Sequence, residues 1–177
     1  MNKSLLALLM VVASFSFAEA QMKCGEGKCG GAMMSGKKME KKFQSVDKDK
    51  ATILQKGKDS LSCPKCGMNL PKFYKTNHSA KVGKVVKQYC SIHCLLADIK
   101  SGSKVEDIKV VDTNSLKFIS AKDAFYVVGS AKSGTMSKVS KYAFASKDDA
   151  KSFAKENGGD VLNFEDTIKR AEADFKK

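Results

Sequence analysis

The chain has 177 residues with a formal charge of +13, two histidines, six cysteines and no tryptophan. Its single arginine, Arg170, argues against a DNA reader, because base edges are read mainly by arginine forks. Nearly all the positive charge is lysine, which reads first as a solvated surface. Attraction to anionic lipid headgroups, as peripheral membrane contact, or to an acidic partner face is the sharper reading.

The first element is Met-Asn-Lys followed by an apolar run from Leu5 to Phe17 and then Ala18-Glu19-Ala20. A positive start, a short apolar core and an A-x-A site form the pattern of a secretory signal peptide over 1–20. This predicts an exported, periplasmic chain beginning near Gln21, soluble once cleaved. Lys23 precedes Cys24 where a lipobox needs a small residue, so lipid attachment is not expected there.

Residues 21–60 read as a flexible Cys/Met/Gly/Lys-rich tail and linker. Lys-Cys-Gly occurs at 23–25 and again at 28–30, which places Cys24 and Cys29 on a glycine-rich backbone, with Met33, Met34 and Met39 following. Such a composition cannot bury enough apolar surface to offset its ordering entropy.

The folded part is expected from about Leu61, as two similar ββαβ units of an α+β fold. The first, 61–113, has strands at 78–82 and 85–90. A helix starting at Ser91 follows, with Ile92, Leu95, Leu96 and Ile99 at i, i+3, i+4 and i+7, and then a strand at 105–111. The second, 114–177, has strands at 124–128 and 138–145. Its helix is capped by Ser146 and stopped by Gly158-Gly159, before a strand at 161–164 and a last helix carrying Phe164, Ile168, Ala171 and Phe175. Tyr89 and Tyr142 occupy matching places in this internal duplication.

Sulfur carries the chemistry. Cys63-Pro64-Lys65-Cys66-Gly67-Met68 sets two thiols on a turn, and Cys90 and Cys94 follow one hairpin later. A C-x-x-C with a second cysteine pair after a hairpin is a metal-site pattern. On a helical wheel Cys90 and Cys94 lie together, opposite the Ile/Leu stripe. His93 beside them could supply a nitrogen. Met68 and Met136, the latter in a polar loop, add thioether sulfur, which favours copper(I) over zinc.

Three alternatives stand beside a copper(I) site. An exported chain with an even cysteine count also fits a disulfide-stapled binding domain. The four thiols Cys63, Cys66, Cys90 and Cys94 also suit zinc. A thioredoxin-like redox motif fits poorly, because Gly67-Met68-Asn69-Leu70-Pro71 is a weak helix start. No nucleophile–base pair stands out, so no enzyme activity is expected, and His78 reads as a surface residue.

These residues resemble the NosL family, the copper-binding accessory proteins of nitrous-oxide reductase maturation. The resemblance rests on Cys63-Pro-Lys-Cys-Gly-Met68, Tyr89-Cys90-Ser91-Ile92-His93-Cys94, Ala124-Phe-Tyr-Val-Val-Gly-Ser130, Met136, Ala143-Phe-Ala-Ser146 and Asn157-Gly-Gly-Asp-Val161, and it spans roughly 61–168. It implies a duplicated ββαβ fold and periplasmic Cu(I) binding. It also implies delivery to a copper-receiving cuproprotein, nitrous-oxide reductase or its maturation complex. Cys66, Met68 and Met136 match the family's ligands, and Cys63 joins them in the expected site. The first block is also similar to a heavy-metal TRASH-type finger. The missing lipobox and the Cys/Met tail depart from the family pattern.

Overall fold

The computed structural model of the protein describes residues 42–175. The expected signal peptide, and Cys24 and Cys29 with the tail methionines, lie outside the described residues. The duplicated α+β fold is present. In the first unit β1 (His78–Val82), β2 (Val85–Tyr89), α1 (Ile92–Lys100) and β3 (Val105–Val111) follow in order, with a short added strand β4 (Phe118–Ser120). In the second, β5 (Phe125–Val128), β6 (Lys141–Phe144), α2 (Lys147–Asn157) and β7 (Asp160–Leu162) lead into α3 (Phe164–Asp174).

The sheets repeat one plan. Their orders are β2-β1-β3-β4 and β6-β5-β7, so each unit's first strand sits between its second and third. All these pairings are antiparallel, with His78 opposite Tyr89 and Val127 opposite Tyr142. A parallel bridge from Asp112 to Ala143 joins the sheets, and Thr113 N–H donates to Ala143 O at 2.8 Å.

Strand alternation explains the core. Tyr126, Val128 and Ala143 face a central cluster with Ile92, Leu96, Val110 and Phe164. Val127, Tyr142 and Phe144 face the other way, onto Ala150 of α2. Strand β5 is therefore buried on both faces, which is why it reads Phe-Tyr-Val-Val without polar alternation. Each fully buried side chain of this size contributes about 1.5–3 kcal/mol relative to exposure.

Helix ends follow sequence chemistry unevenly. Ser146 Oγ accepts from the Asp148 and Asp149 amides, and Asn163 Oδ1 accepts from Asp166 N–H. Ser91 sits at the N-cap of α1, but its hydroxyl makes no capping bond.

Two expectations are corrected here. The packed chain starts before Leu61: Phe43 stacks edge-on to Tyr142 at 5.1 Å, and buried Gln44 donates to the carbonyls of Ser133 and Gly134. Ile53 packs against the first unit's core. These contacts are too far apart in sequence to leave a local period. His78 is 1% exposed, not on the surface. Its Nδ1–H donates to Thr76 O at 3.1 Å, and its Nε2 lies 3.3 Å from the Tyr126 hydroxyl of the second unit. No helix among the described residues is long and apolar enough to cross a membrane.

Candidate metal centre

The Cys63–Met68 segment folds back on itself. Cys63 N–H donates to Met68 O, Gly67 N–H donates to Cys63 O, and Ser62 bridges to Asn69. Closing so small a loop puts Gly67 at φ +74°, where any other residue would cost about 1–2 kcal/mol. The turn aims both thiols at the start of α1, where Cys90 precedes the N-cap Ser91 and Cys94 lies in the first turn.

The four thiols Cys63, Cys66, Cys90 and Cys94 converge, with all sulfurs within 4.8 Å of one another. Cys90 Sγ is the hub: it lies 3.5 Å from Cys66 Sγ, 3.6 Å from Cys94 Sγ and 4.0 Å from Met68 Sδ. All four cysteines are free. Sulfurs at about 2.3 Å from one tetrahedral ion sit about 3.8 Å apart, close to this spacing, whereas a disulfide needs about 2.05 Å. Cys66 is the exposed member; the other three are buried.

The expectation that Cys90 and Cys94 lie away from the core is therefore corrected. They are opposite Ile92 and Leu96, but that side of α1 is buried too, in a second cluster with Leu70, Ala80, Tyr89 and Leu95. An amphipathic reading assumes one apolar face, and this helix packs on both sides.

The thiols titrate as a set. Hydrogen bonds from Cys90 and Cys94 hold the Cys63 thiol well below its ordinary range. Donating to Cys63, together with burial, pushes Cys90 and Cys94 upward. One thiolate thus forms readily, and further ionisation waits on a cation to offset the repulsion.

Asp98 locks this geometry. It accepts from the Tyr89 hydroxyl at 2.7 Å and from Lys87 at 2.9 Å, and Lys65 of the Cys63–Cys66 turn lies 3.7 Å away. Burial favours its neutral form, but the Lys87 and Tyr89 bonds outweigh this and keep its carboxyl below the usual range. Asp98 thereby ties the turn to the helix. Sequence reasoning missed it, although it continues the four-residue spacing of Cys90 and Cys94 and so shares their face.

His93 turns elsewhere. Its Nε2 meets Asp174 Oδ2 at 3.0 Å, and Asp174 also accepts from Lys141 at 2.6 Å. Burial, helped by Lys141, lowers the affinity of His93 for a proton despite Asp174. Its Nδ1 and the Ser91 hydroxyl are buried without protein partners and line one cavity of about 10 Å³, room for a single water.

Met136 sits on the loop between β5 and β6, 49% exposed, and is not among the residues packed on the sulfur cluster. Its backbone holds φ +64°, a strained conformation for methionine. Two hydrogen bonds connect that loop to the Cys90 backbone: Thr135 Oγ1 lies 2.9 Å from Thr76 Oγ1, which donates to Cys90 O at 2.8 Å.

Fold and site together define an α+β protein with a preformed four-thiol cluster able to hold a metal ion. Comparison with known proteins sharpens this. The NosL family model matches residues 53–172, most of the chain, and the protein belongs to that family. The fold resembles the crystal structure of the copper chaperone NosL from Shewanella denitrificans, with TM-score 0.50 and 22% identity over 69% of this chain and 94% of that one. The solution structure of apo-NosL from Achromobacter cycloclastes also matches, with TM-score 0.40 and 25% identity over 50% of this chain and 82% of that one. No curated protein matches the chain.

Proposed function

We propose that this protein is a periplasmic copper(I) chaperone that passes its metal by sulfur exchange to a cuproprotein, in the maturation of nitrous-oxide reductase. The observation that carries the reading is a cysteine cluster with a thioether beside it: Met68 Sδ is 4.0 Å from Cys90 Sγ. Thiolate with thioether is a donor set for Cu(I), and thioether adds little for zinc. Membership of the NosL family supports copper as cargo and the reductase as destination. The signal-like residues 1–20 support export.

The residues divide the work. Cys63, whose thiol the Cys90 and Cys94 hydrogen bonds push toward the thiolate, gives the first anionic ligand. Cys90 and Cys94 lose their protons as the cation enters. Cys66 at the exposed side offers the position where a partner's ligand can attack. Met136, displayed on a strained loop, is the candidate mobile thioether that follows the metal in or out. No bond is made or broken in a substrate; ligand exchange suffices.

One observation favours a second reading, a zinc tetrathiolate module: the 3.5 and 3.6 Å sulfur separations suit a tetrahedral ion. Anaerobic titration of the reduced chain with Cu(I) against a chromophoric chelator, and in parallel with Zn(II), decides between them. Tight Cu(I) binding that displaces zinc, followed by transfer to apo nitrous-oxide reductase, is expected. Zinc held at one equivalent without copper preference would sink the chaperone reading. Copper affinity unchanged in Met136→Ile would remove that residue from the site.

A further inference from the structure

A groove of about 770 Å³ runs beside the cysteine turn. Residues 55–59, the turn at Cys63, Lys65 and Gly67, and Val85 to Lys87 of β2 line it. Strand β2 is at the edge of its sheet. At Gln88 that edge is already covered, since the backbone N–H donates to Gln55 Oε1 at 2.9 Å. Backbone direction repeats every second residue, so the N–H and C=O of Val86 face outward as those of Gln88 do. Among the described residues nothing pairs with them.

The side chains there are unusual for an open edge. Val85 and Val86 are 57% and 42% exposed, two of the few large apolar side chains on the described surface. Edges left without function are normally blunted by charge or proline rather than displayed as valines. Four lysines, Lys56, Lys58, Lys65 and Lys87, line the groove against one acid, Asp59. Lys65 and Lys87 are engaged by Asp98. Lys56 and Lys58 meet no carboxylate among the described residues.

We propose that this groove docks an extended, acidic segment of the protein that exchanges metal with the cluster, added as a strand at Val86 with its carboxylates on Lys56 and Lys58. This rests on the metal-exchange reading. Main-chain pairing supplies register and affinity, alternate apolar side chains cover the valine on one face of the strand, and the lysines set the sign of the partner. Charge decides against the other occupants. A second copy brings another +13, and residues 21–41 of this chain carry five lysines against two glutamates. A strand seated here runs along Cys63, Lys65 and Gly67, the turn that also carries the exposed Cys66, and so brings the partner to the cluster's side of the molecule.

The test uses the full chain, ¹⁵N-labelled, and a synthetic peptide of alternating valine and glutamate, with a valine–lysine peptide as control. Amide shifts centred on Val85 to Lys87 and residues 55–59, weakened by salt and absent with the control, are expected. Lys56→Glu with Lys58→Glu should weaken the peptide about tenfold or more while Cu(I) affinity stays unchanged. Shifts elsewhere, equal binding of the control, or no response to the charge reversal would overturn the proposal. Cu(I) binding without peptide binding removes the docking site and leaves the chaperone reading. Peptide binding at the groove without Cu(I) binding does the reverse.

Discussion

Acid should destabilise this protein in part through His78, at the junction of its two units. The ring is fully enclosed, and its Nδ1–H is committed to Thr76 O while Nε2 faces the buried Tyr126 hydroxyl. Burial pushes its pKa down to about 4, against 6.5 for an ordinary histidine. Below pH 6.5 the unfolded chain takes up a proton there that the folded chain refuses until about pH 4. Stability from this group is therefore complete above pH 6.5 and is lost as pH falls toward 4. At about 1.36 kcal/mol per pH unit the gap is worth about 3 kcal/mol, a sizeable part of a typical domain's stability. The assay is urea unfolding of the metal-free, reduced chain from pH 7 to 4.5, beside His78→Gln. The carboxylates are common to both proteins, so the difference between the curves reports His78 together with its repulsion by a charged His93. The variant is expected to start less stable and to lose less on acidification. Parallel curves would refute the reasoning.

Four other outcomes follow from the geometry. Cys90→Ala removes the sulfur nearest to three others and should lower Cu(I) affinity about 100-fold, read by chelator competition, on the scale of structural zinc sites, where about 10–16 kcal/mol over four ligands is about 3 for each. Gly159→Ala drives a Cβ to 2.8 Å from Val128 O at φ +98° and should cost about 3 kcal/mol in denaturant midpoint. Gly158→Ala meets open space, but φ +73° with ψ −177° is a region essentially reserved for glycine, so it should cost about 2 kcal/mol, less than Gly159→Ala because no atom is struck. Phe43→Ala, which strips a ring from Tyr142 and Phe153 and from beneath Lys75, should lower stability by about 2 kcal/mol in a thermal melt; no change would restore residues 42–60 to linker status.

The sequence by itself determined the elements and the sulfur set. Local periodicity and helix-stop residues are written over a few neighbours, so β1, β3, α1 and α2 were legible to within a residue or two. The duplication followed, as did the grouping of Cys63 with Cys66 and of Cys90 with Cys94. Strand β4 was missed because its three residues leave no period and, unlike β7 after Gly158-Gly159, no helix stop announces it. What only the tertiary structure decided was which faces are covered. Helix α1 is packed on both sides, so its cysteines are buried rather than displayed. His93 is held by Asp174, some eighty residues away, rather than by the thiols. Phe43 and Gln44 belong to the folded body through partners near Ser133 and Tyr142. Asp98 clamps the turn to the helix. Each of these rests on contacts between residues distant in sequence, and those depend on how the two sheets and three helices close on one another, which no local pattern encodes.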